Sequence, residues 1–280
     1  MTIMDNKNIQ IDYLYRYTSL ENLILTLKYH TIRFNPLDKM DDLQEKKTQD
    51  LRNIGRFFYI SSWTAEEKED IPMWKMYTDM QSGVRLKMQK NPFRRQKTRS
   101  SEFSKATGMI PQEGSLEELD TFLDLSSLAS QKVFSPQAYH GNILFEMQYT
   151  EDIDCLEPTI LHMEKDNLNL STEKIGKFKN TYWAFQKEWR YILNFYPVNW
   201  AQDPTLALKD FQDKIIEIAQ DIATPIFDHY DVELDDKSFA SMEITPSPKM
   251  SAANIIILKD LVEKYNPTAK IVKSELLGKL

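Results

Sequence analysis

Cysteine is almost absent from this 280-residue chain: Cys155 stands alone, so no internal disulfide can form. Glycine is scarce too, with 7 residues, and none of them builds the glycine-rich turn that cradles a phosphate. A P-loop or Rossmann nucleotide site is therefore not expected. No run of about 18 apolar residues occurs, which argues against a membrane-spanning helix. Residues 1–10 are polar and lack the apolar core of a signal peptide, so a cytoplasmic location is the expectation. The 4 histidines, His30, His140, His162 and His229, never fall three or four apart, and none lies near Cys155. A zinc site is not expected from such spacing. No serine sits in a glycine-flanked nucleophile turn, and Cys155 reads as a small buried hydrophobe. A net charge of −7 argues against non-specific nucleic-acid binding by the surface as a whole.

What is present is a globular composition, 41% hydrophobic and 28% charged, with length enough for a sizeable core. Tyr13 to Tyr17 reads as a strand, followed by a capping box with Thr18 as the cap and Glu21 reaching back. Leu20, Leu23, Ile24 and Leu27 mark the buried face of the helix that follows. Thr31 to Asn35, Arg56 to Trp63 and Val84 to Met88 read as further strands, with Pro72 opening a short helix before the last of them. In that helix Met73, Trp74 and Tyr77 have core packing as their simpler role. Lys87 to Lys105 is a basic loop that can hold a phosphate-bearing partner locally or run free in solvent. Gly108 to Gly114 continues as loop, Leu116 to Leu125 patterns as a helix, and Ile143 to Tyr149 alternates as one strand. Ser171 to Lys174 starts a helix delivering Phe178 to Phe185, and a strong helix covers about Leu206 to Ala223. Tyr230 to Leu234, Phe239 to Ile244 and Ala269 to Val272 read as strands, and Ser251 caps a last helix. Helices and strands in this order favour an α+β fold with a mixed, curved sheet flanked by helices. No linker splits the chain, so a single domain over 1–280 is expected, with 87–128 as a basic loop-and-helix insertion.

Chemistry concentrates in Phe178 to Leu193. Glu188 and Arg190 lie two apart at the start of a strand-like run, so their side chains share one face while Trp189 and Tyr191 take the other. The alternative is a charge pair at a solvated strand end. The acidic stretch Asp38 to Glu45 offers Asp42 and Glu45 to a cation or a ribose, or else forms a solvated turn.

Taken in order, Leu14-Tyr15-Arg16-Tyr17-Thr18, Ile32-Arg33-Phe34-Asn35-Pro36, Met40-Asp41-Asp42-Leu43-Gln44-Glu45, Ser61-Ser62-Trp63, Met73-Trp74-Lys75-Met76-Tyr77, Phe185-Gln186-Lys187-Glu188-Trp189-Arg190 and Ile271-Val272-Lys273-Ser274-Glu275-Leu276 form a set of short motifs. The set resembles the bacterial domain-of-unknown-function family catalogued as twenty-nine seventy-one, over nearly the whole chain. Two departures stand out. The family's Asn-Asp-Pro phrase is Asp41-Asp42-Leu43 here, and the first Glu of its Phe-Glu-x-Glu phrase is Gln186. The family name implies no activity.

A more distant likeness bears on function. Tyr15 to Leu23 is similar to the first strand and helix of ADP-ribosyltransferase-like proteins, and Gln186-Lys187-Glu188 resembles the Gln-x-Glu phrase of some members. The resemblance implies NAD as substrate and a catalytic set of Arg16, Ser62 (or Ser61) and Glu188. Glu188 would face the positive charge that develops on ribose as nicotinamide leaves. Arg16 would grip a phosphate or ribose, Ser62 would orient the strand, and Tyr17, Trp74 or Tyr77 would stack on a flat ring. Asp42, Glu45 and Arg190 complete the expected contacts to a nucleotide-type ligand. Two rivals remain. One is a non-enzymatic binding module built on the aromatics around Trp74, Trp183 and Trp189. The other is a magnesium- or manganese-dependent hydrolase using Asp41, Asp42, Glu45 and Glu188.

Overall fold

The computed structural model describes residues 11–99, 118–136, 142–164, 167–200 and 204–280. The loop expected at Gly108 to Gly114 and residues 100–105 of the basic stretch lie outside them. In chain order, β1 (Tyr13–Ser19), α1 (Leu20–Tyr29) and β2 (Thr31–Pro36) lead through 3-10 turns at Leu37–Lys39 and Ile54–Phe57 into β3 (Phe58–Thr64). Next come α2 (Ile71–Tyr77), β4 (Gly83–Gln89), β5 (Gln96–Arg99), β6 (Glu118–Thr121) and α3 (Leu125–Ser130). They are followed by β7 (Leu144–Glu146), β8 (Gln148–Thr150), α4 (Ile153–Leu156), β9 (Leu161–Glu164) and β10 (Asn167–Leu170). Then β11 (Phe178–Asn180), a 3-10 turn over Thr181–Gln186 and β12 (Glu188–Asn194) precede α5 (Pro204–Ala219) and β13 (Tyr230–Glu233). The chain closes with α6 (Asp236–Ala240), β14 (Glu243–Pro246), α7 (Ala252–Tyr265) and β15 (Lys270–Ile271). The fold class is α+β, with antiparallel and parallel pairings both present. The chain divides into two compact units: Met1–His30, Trp63–Pro92 and Asp235–Leu280 form the first, and Thr31–Ser62 with Phe93–Leu234 the second.

In the first unit β1 pairs antiparallel with β4 along its whole length, from Tyr13 opposite Gln89 to Ser19 opposite Gly83. β4 pairs antiparallel with β14, which runs parallel to β15. The α1 cap is Ser19, whose hydroxyl accepts from the Asn22 N–H, rather than the expected Thr18. Both residues end β1, Thr18 opposite Val84 and Ser19 opposite Gly83, and it is Ser19, directly before Leu20, whose hydroxyl reaches the first turn. Leu20, Leu23 and Leu27 are buried, as the periodicity requires. Asp70 caps α2, and Pro72 occupies its first turn, where a missing N–H leaves nothing unsatisfied. Glu69 is a buried carboxylate with three donors: Trp74 Nε1 at 2.9 Å, Ser274 Oγ at 2.8 Å and the Glu275 N–H at 2.7 Å. It ties the last residues of the chain to α2.

In the second unit β13 pairs with β2, β2 with β3, β3 with β12 and β12 with β7. One core cluster gathers Leu37, Leu51, Phe57, Phe58, Ile60, Ile192 and Tyr196 with residues of the later loops and α5. β8 and β11 form a parallel pair, and β9 and β10 a hairpin.

Five further local expectations are corrected. Within the span expected as a helix from Leu116, residues 118–121 are strand β6, and α3 starts only after Asp124, whose carboxylate accepts the Ser127 N–H as a cap. The single strand over Ile143 to Tyr149 is broken at Met147, where the chain changes partner from β12 to β11. Phe239 is helical because Asp235 caps α6, and the strand begins at Glu243. No helix delivers Phe178: Gly176, at φ +75, turns the chain out of a helical path, and Phe178–Asn180 is strand. The basic stretch is not all loop either, since Lys87 lies in β4 and Lys97 in β5.

Gly83 starts β4 in a space that admits no side chain. An added Cβ would collide with the Thr78 side chain and lie 2.8 Å from the Asp79 carbonyl. Gly83→Ala is expected to lower stability by about 1–3 kcal/mol in urea unfolding. An unchanged midpoint would show that the Thr78 turn yields.

Candidate functional site

The second unit holds a buried cluster of four charged side chains: Glu45, Lys179, Glu188 and Arg190. Its construction starts at the ends of two paired strands. β12 lies beside β3, and at one end the Phe195 N–H donates to the Phe57 carbonyl at 3.0 Å. At the other end the Ser62 hydroxyl hydrogen-bonds the Glu188 carboxylate, so the strands run in opposite directions and these two residues are neighbours. Lys187, in the left-handed region at φ +45, ends the 3-10 turn and sets Glu188 inward as the first residue of β12. The Glu188 N–H donates to the Tyr149 hydroxyl at 2.8 Å. Burial pushes the pKa of that hydroxyl up to about 12.

Strand alternation then places Arg190 on the same face as Glu188. The guanidinium donates through Nε and Nη2 to both Glu188 oxygens, through Nη2 to Glu45 Oε1 at 2.8 Å, and through Nη1 to the Gly176 carbonyl at 3.3 Å. Lys179, from β11, completes the cluster. Its ammonium reaches Gln186 Oε1 at 2.8 Å, Glu45 Oε1 at 3.0 Å and Glu188 Oε2 at 3.2 Å, and lies 4.7 Å from the centre of the Trp183 ring. Glu188 is 5% exposed and Arg190 1%. The solvated strand end weighed above is thus excluded, because the pair is sealed inside the unit.

Burial alone would raise the Glu188 pKa. The Arg190 and Lys179 charges, with hydrogen bonds from Arg190 and Ser62, outweigh it and hold the carboxyl well below the usual range. Burial alone would likewise lower the Arg190 pKa, and the Glu188 and Glu45 carboxylates raise it further above its ordinary value. One acceptor is left over: among the described residues, Glu45 Oε2 is buried with no hydrogen-bond partner.

The turn Thr181–Gln186 covers this cluster. Asn180 caps it by accepting the Tyr182 N–H, and the Thr181 hydroxyl donates to Glu151. Trp183 stacks with Phe185, and Tyr182 stands 83% exposed.

Four of the sequence candidates are therefore brought together: Ser62, Glu188, Arg190 and Glu45. Asp42 lies on the loop that carries Glu45, where one carboxylate oxygen accepts the Gln44 N–H at 2.9 Å. That loop is a solvated turn only in part, since it buries Glu45. Arg16, Tyr17, Trp74 and Tyr77 belong to the first unit. The Arg16 guanidinium lies 5.8 Å from the centre of the Trp63 ring. Trp74 is corrected from a stacking residue to a core one. It is fully buried, bonded to Glu69 and met edge-on by Tyr17 at 4.9 Å. Tyr17 is buried as well, its hydroxyl accepting the Asp70 N–H at 3.0 Å, and burial raises its pKa. The set Asp41, Asp42, Glu45 and Glu188 is not grouped as a magnesium or manganese site, because Glu45 and Glu188 face a guanidinium and an ammonium. Among the described residues no three His, Cys, Asp or Glu side chains are grouped to hold a metal.

Lys179 and Tyr149 escaped the sequence reading. The only signal for Lys179 is a lysine in a short strand between the aromatics Phe178 and Trp183. No family model, no curated protein and no solved structure matches the chain. Among the described residues no helix is long and apolar enough to cross a membrane.

Two outcomes follow from the cluster. Glu188→Gln leaves the buried cations short of a partner and is expected to lose about 3–5 kcal/mol in urea unfolding, against little loss for a surface pair. The Glu188 pKa is depressed on folding, so its contribution is complete above about pH 4.5 and is lost as pH falls towards about 2. The stability gap between wild type and Glu188→Gln should therefore narrow across that window. A gap independent of pH would contradict the ion pairing.

Proposed function

We propose that the chain is an ADP-ribosyltransferase-like enzyme that breaks the bond between nicotinamide and ribose in NAD. Glu188 is the carboxylate that faces the charge developing on the sugar. The observation that supports this reading is the Ser62–Glu188 hydrogen bond between neighbouring strand ends, with Gln186 two residues before the carboxylate. A catalytic carboxylate of this kind must be ionised and held in one orientation. Arg190, Lys179 and Ser62 provide both conditions for Glu188. The resemblance of the opening strand and helix and of the Gln-x-Glu phrase points the same way.

A second reading has its own support: Glu188 and Arg190 are almost fully buried, which suits a structural network inside a binding module. Nicotinamide release from NAD separates the two. The enzyme reading expects release by the wild type, a fall of roughly ten- to a hundred-fold in Ser62→Ala, and a larger loss in Glu188→Gln measured below its melting temperature. Release that is absent from the wild type, or unchanged in both variants, leaves the binding module.

A further inference from the structure

Lys179 makes more contacts than a simple ion pair needs. Two carboxylates, one amide oxygen and one indole face converge on a single ammonium. That set of groups is a recognition site for an organic cation: acceptors for each N–H and an aromatic ring for the positive charge. The ammonium donates hydrogen bonds to Gln186 and Glu188, and Glu45 Oε1 lies 3.0 Å from it as an ion pair. Beside it Glu45 Oε2 is buried without a hydrogen-bond partner among the described residues, so one buried acceptor of the cluster is left unfilled. The walls are held independently of the lysine. Arg190 fixes both Glu45 and Glu188, Ser62 bonds Glu188, and Asn180 and Lys187 fix the ends of the turn that carries Trp183 and Gln186.

We propose that Glu45, Gln186, Glu188 and Trp183 form a binding cage for an organic cation, a primary ammonium or a flat pyridinium ring, and that Lys179 is its tethered occupant in the free protein. The charge balance fixes the sign of the ligand. With Lys179 in place the two carboxylates and two cations sum to zero (−2 + 2); with it withdrawn, Arg190 alone leaves −1 (−2 + 1). A neutral or anionic guest cannot restore the balance, and a buried net charge is strongly disfavoured. The proposal deepens the reading above, because the nicotinamide ring of NAD is itself a pyridinium cation.

The test is chemical rescue of Lys179→Ala, read as melting temperature. The variant is expected to melt roughly 10 °C below wild type, since it leaves one buried negative charge uncompensated. Methylammonium or 1-methylnicotinamide, titrated at constant ionic strength, is expected to restore at least half of that difference with a saturating curve, and to stabilise wild type only at higher concentration, because Lys179 must first be displaced. Equal recovery with sodium chloride, or none with either organic cation, overturns the cage and leaves Lys179 a structural ion pair. If the variant does not accumulate folded, refolding yield from urea with methylammonium against sodium gives the same decision. The assay needs no turnover. Rescue without nicotinamide release removes the enzyme reading and keeps the cage, and release without rescue removes the cage alone.

Discussion

Mutual neutralisation of two carboxylates by a guanidinium and an ammonium is the constraint on which the second unit depends. None of these charges can stay buried alone, since transfer out of water disfavours an isolated ion far more than any single contact recovers. Each is therefore fixed by the others. Arg190 is set by β12, Glu45 comes from the loop after β2, and Lys179 is delivered by β11. The cluster ties together segments more than a hundred residues apart in sequence, as the Glu45–Arg190 bond shows. It also accounts for the irregular backbone nearby. Gly176 presents its carbonyl to Arg190, and Lys187 takes a left-handed conformation so that Glu188 points inward.

The two readings of function share this geometry and differ in what they ask of it. As a catalytic device, the cluster keeps Glu188 ionised and immobile. As a structural device, it gives the unit a polar core with defined partners. The charges lie at the ends of β3 and β12, beneath a turn that leaves Tyr182 in solvent, rather than within the apolar cluster around Phe57 and Ile192. Either role requires the network to sit apart from the apolar core, where its charges keep their polar partners.

Periodicity made much of the fold legible. The helices of α1, α5 and α7 and the strands β1, β2 and β4 lie close to where spacing and caps put them, because each carries a continuous apolar face. Elements whose identity depends on tertiary partners were not legible. The change of partner at Met147 has no local signal, and the short strand β11 is fixed only by its parallel neighbour β8. The same holds for the charged residues. Alternation along one strand was enough to put Glu188 and Arg190 together. Glu45 was visible as a carboxylate but not as their partner, and Lys179 was indistinguishable from a surface lysine. Trp74 was open to two roles, core packing or a platform for a flat ring, and its burial with the indole N–H held by Glu69 supports the first.

The way the chain is shared between the units has a consequence for synthesis on the ribosome. The second unit is complete once residue 234 has emerged, whereas the first lacks β14, α7 and the Ser274–Glu69 clasp until the last residues appear. Its opening segments, β1 with α1 and β4, must wait with an unpaired sheet edge while some 150 residues are added. Such late, long-range closure is slow and exposes a strand to wrong partners in the meantime. Truncations near the C-terminus should thus act as assembly defects in the unit that was begun first.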